Sequence, residues 1–162
     1  NPKNIKIAQR ESIMWNTTQQ KAIEYGNILH EILSFVKTKN DVNLALTKAI
    51  ENGLIIASQR ETVEKTLFEI INHPDLVDFF AEEHLVLNEK TIIQKEGNFI
   101  KPDRMVLTST KEIYLLDYKT GSHQAKYTQQ LENYQDDIEK MNYRVTKKAL
   151  VYIGETLEVV NL

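Results

Sequence analysis

Two acids and one lysine fall in strand-like stretches of this sequence, and together they suit the hydrolysis of a phosphodiester. In Glu112–Lys119 the side chains of a strand would alternate, so Ile113, Leu115, Asp117 and Lys119 share one face. An apolar face ending in an acid and a base two residues apart reads as a surface ion pair at a sheet edge or as a reactive pair. Asp103 sits in a second strand-like run, Ile100–Val106. Pro102 beside it has no N–H for a ladder, which predicts an edge, a bulge or a bend that turns Asp103 toward the neighbouring strand. Taken alone, Asp103 reads as a solvated charge. Two carboxylates brought close repel unless a cation lies between them, and oxygen ligands suit Mg²⁺ or Mn²⁺. Such an ion polarises the phosphorus centre and activates water, while Lys119 would orient that water or stabilise the pentavalent phosphate.

A third segment, Gln124–Met141, has helical spacing. Tyr127, Gln130, Tyr134, Ile138 and Met141 lie along one stripe whose apolar members turn it toward the sheet. Gln130 is then a polar amide on a largely buried face, with the Asp117 and Lys119 side of the strand able to supply its partners. The alternative places Gln130 at the edge of the stripe, in water.

The elements that must carry these residues fall into two halves. The first is helical. Thr17-Thr18-Gln19-Gln20 has the form of a capping box, and Ile28, Leu29, Ile32, Leu33 and Val36 predict a helix of about five turns ending near Lys39. Asp41 is the expected cap of a second helix through Leu44 and Ala49, stopped at Gly53. Ser58-Gln59-Arg60-Glu61 opens a third, through Val63, Leu67 and Ile71, which ends before Pro74. The second half changes period. Strands are predicted around His84–Leu87, Thr91–Gln94, Phe99–Leu107 and Glu112–Lys119 as an antiparallel meander. Its turns are Asn88-Glu89-Lys90, Glu96-Gly97-Asn98 and Ser109-Thr110-Lys111. After the helix a strand pair, Ala149–Ile153 and Leu157–Val160, flanks Gly154-Glu155. The order helix, strands, helix, strand points to an α/β or α+β sheet covered by helices.

Bulk properties bound the function. The 162 residues fit one domain, 41% hydrophobic and 27% charged, the balance of an ordinary globular protein. No run approaches the roughly 20 apolar residues that span a bilayer, so no membrane partner is expected. There is no cysteine, which excludes disulfides, thiolate metal sites and iron–sulfur clusters and agrees with a reducing cytoplasm. The net charge of −3 runs against the basic balance usual in nucleic-acid binders. A neighbouring domain that supplies most of the grip, or acids clustered around bound cations, reconciles the two. The chain starts at Asn1 and lacks a GxxxxGK(S/T) phosphate loop, and both features read as those of a piece of something longer.

Leu116-Asp117-Tyr118-Lys119-Thr120-Gly121, followed by Tyr127-x-x-Gln130-Leu131-x-x-Tyr134, resembles motif III and the QxxxY motif of the RecB/AddA-type nucleases in the PD-(D/E)XK superfamily. Ile100-Lys101-Pro102-Asp103-Arg104 is similar to that family's strand motif, more often Gly-x-Ile-Asp-Arg. Gly26-Asn27-Ile28-Leu29-His30 resembles its helical GxxxH motif, although a histidine flanked by Leu29 and Leu33 is also an ordinary helix residue. The resemblance implies a restriction-endonuclease-like α/β core: a mixed central sheet flanked by helices, with a helical part at about 16–80 and a catalytic part at about 82–162. It implies a Mg²⁺- or Mn²⁺-dependent deoxyribonuclease, an exonuclease before an endonuclease. Asp103, Asp117, Lys119 and Gln130 form its catalytic set. His30, Asp103, Asp117 and the Tyr118 backbone carbonyl are the implied metal ligands, and Gln130, Tyr134 and Tyr127 position substrate. Glu82 or Glu83 would also approach this site. The implied partners are single- or double-stranded DNA, a helicase domain in the same parent chain and a second subunit, with this chain the C-terminal nuclease module in double-strand-break repair. A catalytically silent relative that binds DNA or serves as a scaffold is the alternative, and a compact nuclease of a phage or mobile element is a third.

Overall fold

The computed structural model describes residues 18–88, 92–93 and 99–162. Among these, four α-helices flank a five-stranded mixed sheet. The helices are α1 (Thr18–Leu33), α2 (Val42–Glu51), α3 (Arg60–Ile71) and α4 (Ala125–Glu139). The strands are β1 (Leu85–Asn88), β2 (Ile92–Ile93), β3 (Phe99–Ile100), β4 (Arg104–Leu107), β5 (Glu112–Lys119), β6 (Arg144–Ile153) and β7 (Leu157–Asn161). The sheet order is β1-β4-β5-β6-β7, with β2 and β3 paired separately. All its pairings are antiparallel except β5 with β6, which run parallel because α4 carries the chain back across the sheet between them.

Alternation along β5 divides the interior into two layers. Leu116 and Tyr118 face α1–α3 in one apolar cluster that includes Leu29, Ile32, Leu46, Leu67 and Phe79. Ile113 and Leu115 face α4 in the other, against Leu131 and Ile138. The period-2 strand and the period-3.6 helix therefore meet as expected, and Tyr127, Tyr134 and Met141 pack along the same stripe.

Two helix ends differ from expectation. α1 stops at Leu33, not near Lys39, because Thr38 takes an extended conformation (φ −132°, ψ 170°) to make a capping box. There Asp41 turns backward: its Oδ2 accepts the N–H groups of Lys37 and Thr38, both at 3.0 Å, and makes no side-chain cap to α2. α3 has no side-chain cap at its own start, and the capping bond lies two residues before the expected Ser58, at Ile56. The Gln59 side chain accepts the Ile56 N–H at 2.7 Å, and a short 3₁₀ turn, Ala57–Gln59, leads into the helix. The predicted run Phe99–Leu107 is two strands broken at Pro102. The expected capping box opening on Thr17 and the expected turns through Glu89-Lys90 and Glu96-Gly97-Asn98 lie outside the described residues. Among the described residues no helix is long and apolar enough to cross a membrane.

Candidate active site

The break at Pro102 creates the central geometry. The β4–β5 ladder ends with Arg104 opposite Leu116, so one further step places Asp103 opposite Asp117. Here the side chains continue the pairing that the backbone has given up. The Asp103 N–H donates to Asp117 Oδ1 at 2.9 Å, and Asp103 Oδ2 accepts the Tyr118 N–H at 2.9 Å. Both donors would otherwise be left without partners at the frayed end of the ladder. Asp117 is almost completely buried, its side chain 3% exposed, whereas Asp103 is partly open at 21%.

Around this pair stand the other residues expected from the sequence. His30, in the last turn of α1, brings Nε2 within 3.2 Å of Asp103 Oδ1 and sets its ring against that of Tyr118 at 5.5 Å. Lys119 Nζ lies 3.7 Å from Asp117 Oδ2 and donates to Gln130 Oε1 at 2.9 Å. Gln130 Nε2 donates in turn to the Tyr134 hydroxyl at 2.9 Å, and that hydroxyl reaches the Lys101 carbonyl at 3.5 Å. Tyr127 puts its ring 4.7 Å from the Lys119 ammonium. Gln130 is thus half-buried and holds Lys119 from the α4 side. A cleft of about 170 Å³ opens on the His30 and Lys119 side of the group, lined also by Tyr118, Thr120 and Tyr127.

Burial first, and then the Asp103 carboxylate, push the Asp117 carboxyl up to about 6, against the help of the Asp103 N–H and Lys119. Tyr134 is pushed up to about 12 by burial and then by the charges of Asp117 and Asp103. A divalent cation would offset the carboxylate part of both effects. Among the described residues no three His, Asp or Glu side chains are grouped tightly enough to cage an ion. Each carboxylate has one oxygen engaged by a backbone N–H, while Asp103 Oδ1 lies 3.2 Å from His30 Nε2 and Asp117 Oδ2 lies 3.7 Å from Lys119 Nζ. Mg²⁺ needs no complete protein cage, since one or two carboxylates suffice when water and substrate phosphate complete its shell. The donor set fits such an ion.

No protein-family model and no curated protein matches this chain.

Arg104 and Thr120, beyond the expected set, and Gly26 of the GxxxH motif build the site. Arg104 has no exposed surface. Its guanidinium donates to the carbonyls of Phe79 (2.9 Å), Val36 (2.6 Å) and Lys37 (2.6 Å) and stacks 3.9 Å from the centre of the Phe80 ring. It thereby ties the chain just after α1 to the residue following Asp103. Burial lowers its pKa from the ordinary range without removing its charge. Gly26 and Thr120 form the second contact: a Cβ on Gly26 would lie 2.2 Å from Thr120 Cγ2. Only glycine lets α1 come this close to the end of β5, which sets His30 over the carboxylates. The GxxxH spacing signals this approach, but nothing in the sequence marks Thr120 as its counterpart. Glu82 and Glu83, by contrast, line a separate hollow with Thr38 and Lys39, and Glu82 accepts a hydrogen bond from Asn40.

Proposed function

We infer that this chain is a Mg²⁺- or Mn²⁺-dependent nuclease of the PD-(D/E)XK type that hydrolyses DNA phosphodiester bonds. The observation that carries this reading is the pairing of Asp103 with Asp117 across the end of the β4–β5 ladder, with Lys119 on the same face. Asp103, Asp117 and His30 Nε2, with the Tyr118 carbonyl implied by the motif, would hold the ion. When bound, the ion supplies charge stabilisation and activates water. Lys119 places an ammonium where charge develops on phosphate, and Gln130, braced by Tyr134, keeps that ammonium from collapsing fully onto Asp117. His30 would give up its pairing with Asp103 Oδ1 to offer a neutral nitrogen to the ion. The order of the four motifs supports the RecB/AddA-type subgroup, and with it an exonuclease that works beside a helicase domain in double-strand-break repair.

One observation favours a second reading, a silent relative that binds DNA without cutting it. Every acidic and basic group of the site already has a partner within the chain. The same experiment decides between them: linear single- and double-stranded DNA incubated with Mg²⁺ or Mn²⁺ and wild type, Asp117→Ala or Lys119→Ala. Nuclease action predicts degradation by wild type and nearly complete loss in both variants. Binding without degradation under either metal supports the silent relative.

A further inference from the structure

Beside the cleft, three aromatic rings run from the surface inward. His123, in the turn after β5, stacks on Tyr152 of β6 with centroids 3.8 Å apart and planes 12° apart. Tyr152 lies 6.3 Å from Tyr127, the ring that approaches Lys119. Tyr127 and Lys119 line the cleft that reaches His30. The His123 side chain is 49% exposed, while Tyr152 beneath it is buried. Glu158 bonds the His123 Nε2 at 2.9 Å. A hydrogen bond at a ring nitrogen lies in the ring plane, so it fixes the orientation of the imidazole without covering its faces.

We propose that His123, supported from below by Tyr152, is a stacking platform for an unpaired nucleobase of a single DNA strand whose phosphate enters the cleft at Lys119. The proposal rests on the nuclease reading for its substrate and names the form of DNA that the site takes. A flat ring held parallel to a second ring, oriented at its edge and half open to solvent is a surface for a third π-system, and a base in a duplex has no free face to offer it. The rings also explain how a chain of net charge −3 grips a polyanion: stacking supplies affinity that phosphate contacts on an acidic protein do not.

The test measures fluorescence anisotropy of a short labelled oligothymidylate and of an abasic strand of equal length, in Ca²⁺, with strand integrity checked afterwards. Wild type is expected to bind the thymidylate about ten-fold more tightly than the abasic strand. His123→Ala removes that preference, His123→Phe keeps it, and His123→Lys, which supplies a charge without a ring, does not restore it. Equal binding of the two strands by wild type overturns the proposal, as does a preference retained by His123→Lys and lost in His123→Phe. The two readings fail separately. A protein that cuts DNA in Mg²⁺ but ignores the base loses the platform alone. One that cuts nothing yet shows the ring-dependent preference loses the nuclease alone.

Discussion

The backbone N–H of Asp103 donates to the carboxylate of Asp117 across 2.9 Å, so the fold itself holds two acids together. The neighbouring Tyr118 N–H returns the bond to Asp103. Hydrogen bonds therefore oppose a like-charge repulsion that Lys119 and His30 offset only in part, at a carboxylate that burial already disfavours in its charged form.

That cost is measurable. The folded pKa of Asp117, about 6, lies above its usual 3.8, so the fold prefers the protonated form. The penalty is absent below about pH 4, grows as pH rises, and is fully present above about pH 6. Asp117→Asn keeps an oxygen for the Asp103 N–H and removes the charge. In EDTA at pH 7.5 the variant is expected to be more stable than wild type by about 2 kcal/mol, or several degrees in Tm. The difference should close as pH falls toward 4. Mg²⁺ should raise the Tm of wild type and leave that of the variant unchanged. A variant no more stable than wild type at pH 7.5 contradicts a cost from burying the Asp117 charge beside Asp103.

Gln130 touches Lys119 but neither carboxylate, so it acts on chemistry through the ammonium alone. Gln130→Ala is expected to lower kcat about ten-fold, leaving KM and the urea midpoint nearly unchanged. Gln130→Glu puts a carboxylate against Nζ and should hold Lys119 in place while drawing charge from it, raising the pH at which activity is lost. A large fall in stability with activity retained would instead make Gln130 a structural residue.

The site was more legible in the sequence than the scaffold that assembles it. Asp117 and Lys119 on one face of β5, and Gln130 and Tyr134 on one stripe of α4, follow from the periods 2 and 3.6. Pro102 also foretold the bend that frees Asp103, because a missing N–H is a local property. The end of α1 was not legible. The apolar spacing continues through Val36, but the carbonyls there go to Arg104, 68 residues away in sequence, and no local rule reports such a partner. The same holds for His123 against Tyr152 and for Thr120, the counterpart of a Gly26 that the GxxxH spacing had already marked for close approach.

The Gly26–Thr120 contact gives a prediction with an internal control. Gly26→Ala drives a methyl into Thr120 Cγ2 and is expected to cost about 1–3 kcal/mol, since overpacking forces side chains off their rotamers. Thr120→Ser removes the opposing methyl. The double variant should recover most of the stability lost by Gly26→Ala, measured by urea unfolding, and metal affinity should recover with it because His30 rides on the same helix. If Thr120→Ser rescues nothing, the close approach is not what holds α1 in place.

Arg104 makes the sharpest structural prediction because its loss cannot be repaired by charge alone. Three carbonyls, of Val36, Lys37 and Phe79, accept from one planar guanidinium, the first two in the segment after α1 and the third in a short 3₁₀ turn, Val77–Phe80. Arg104→Leu keeps an apolar side chain over Phe80 but leaves those acceptors without a donor, a loss of at least about 3 kcal/mol. Arg104→Lys keeps the charge but has one compact ammonium for three divergent acceptors and should recover little of it. Both substitutions also loosen the residue that follows Asp103. Where the variant still folds, divalent-metal affinity by calorimetry should fall although no ligand has been touched. An Arg104→Lys protein as stable as wild type would show that charge, not the forked geometry, binds α1 to the sheet.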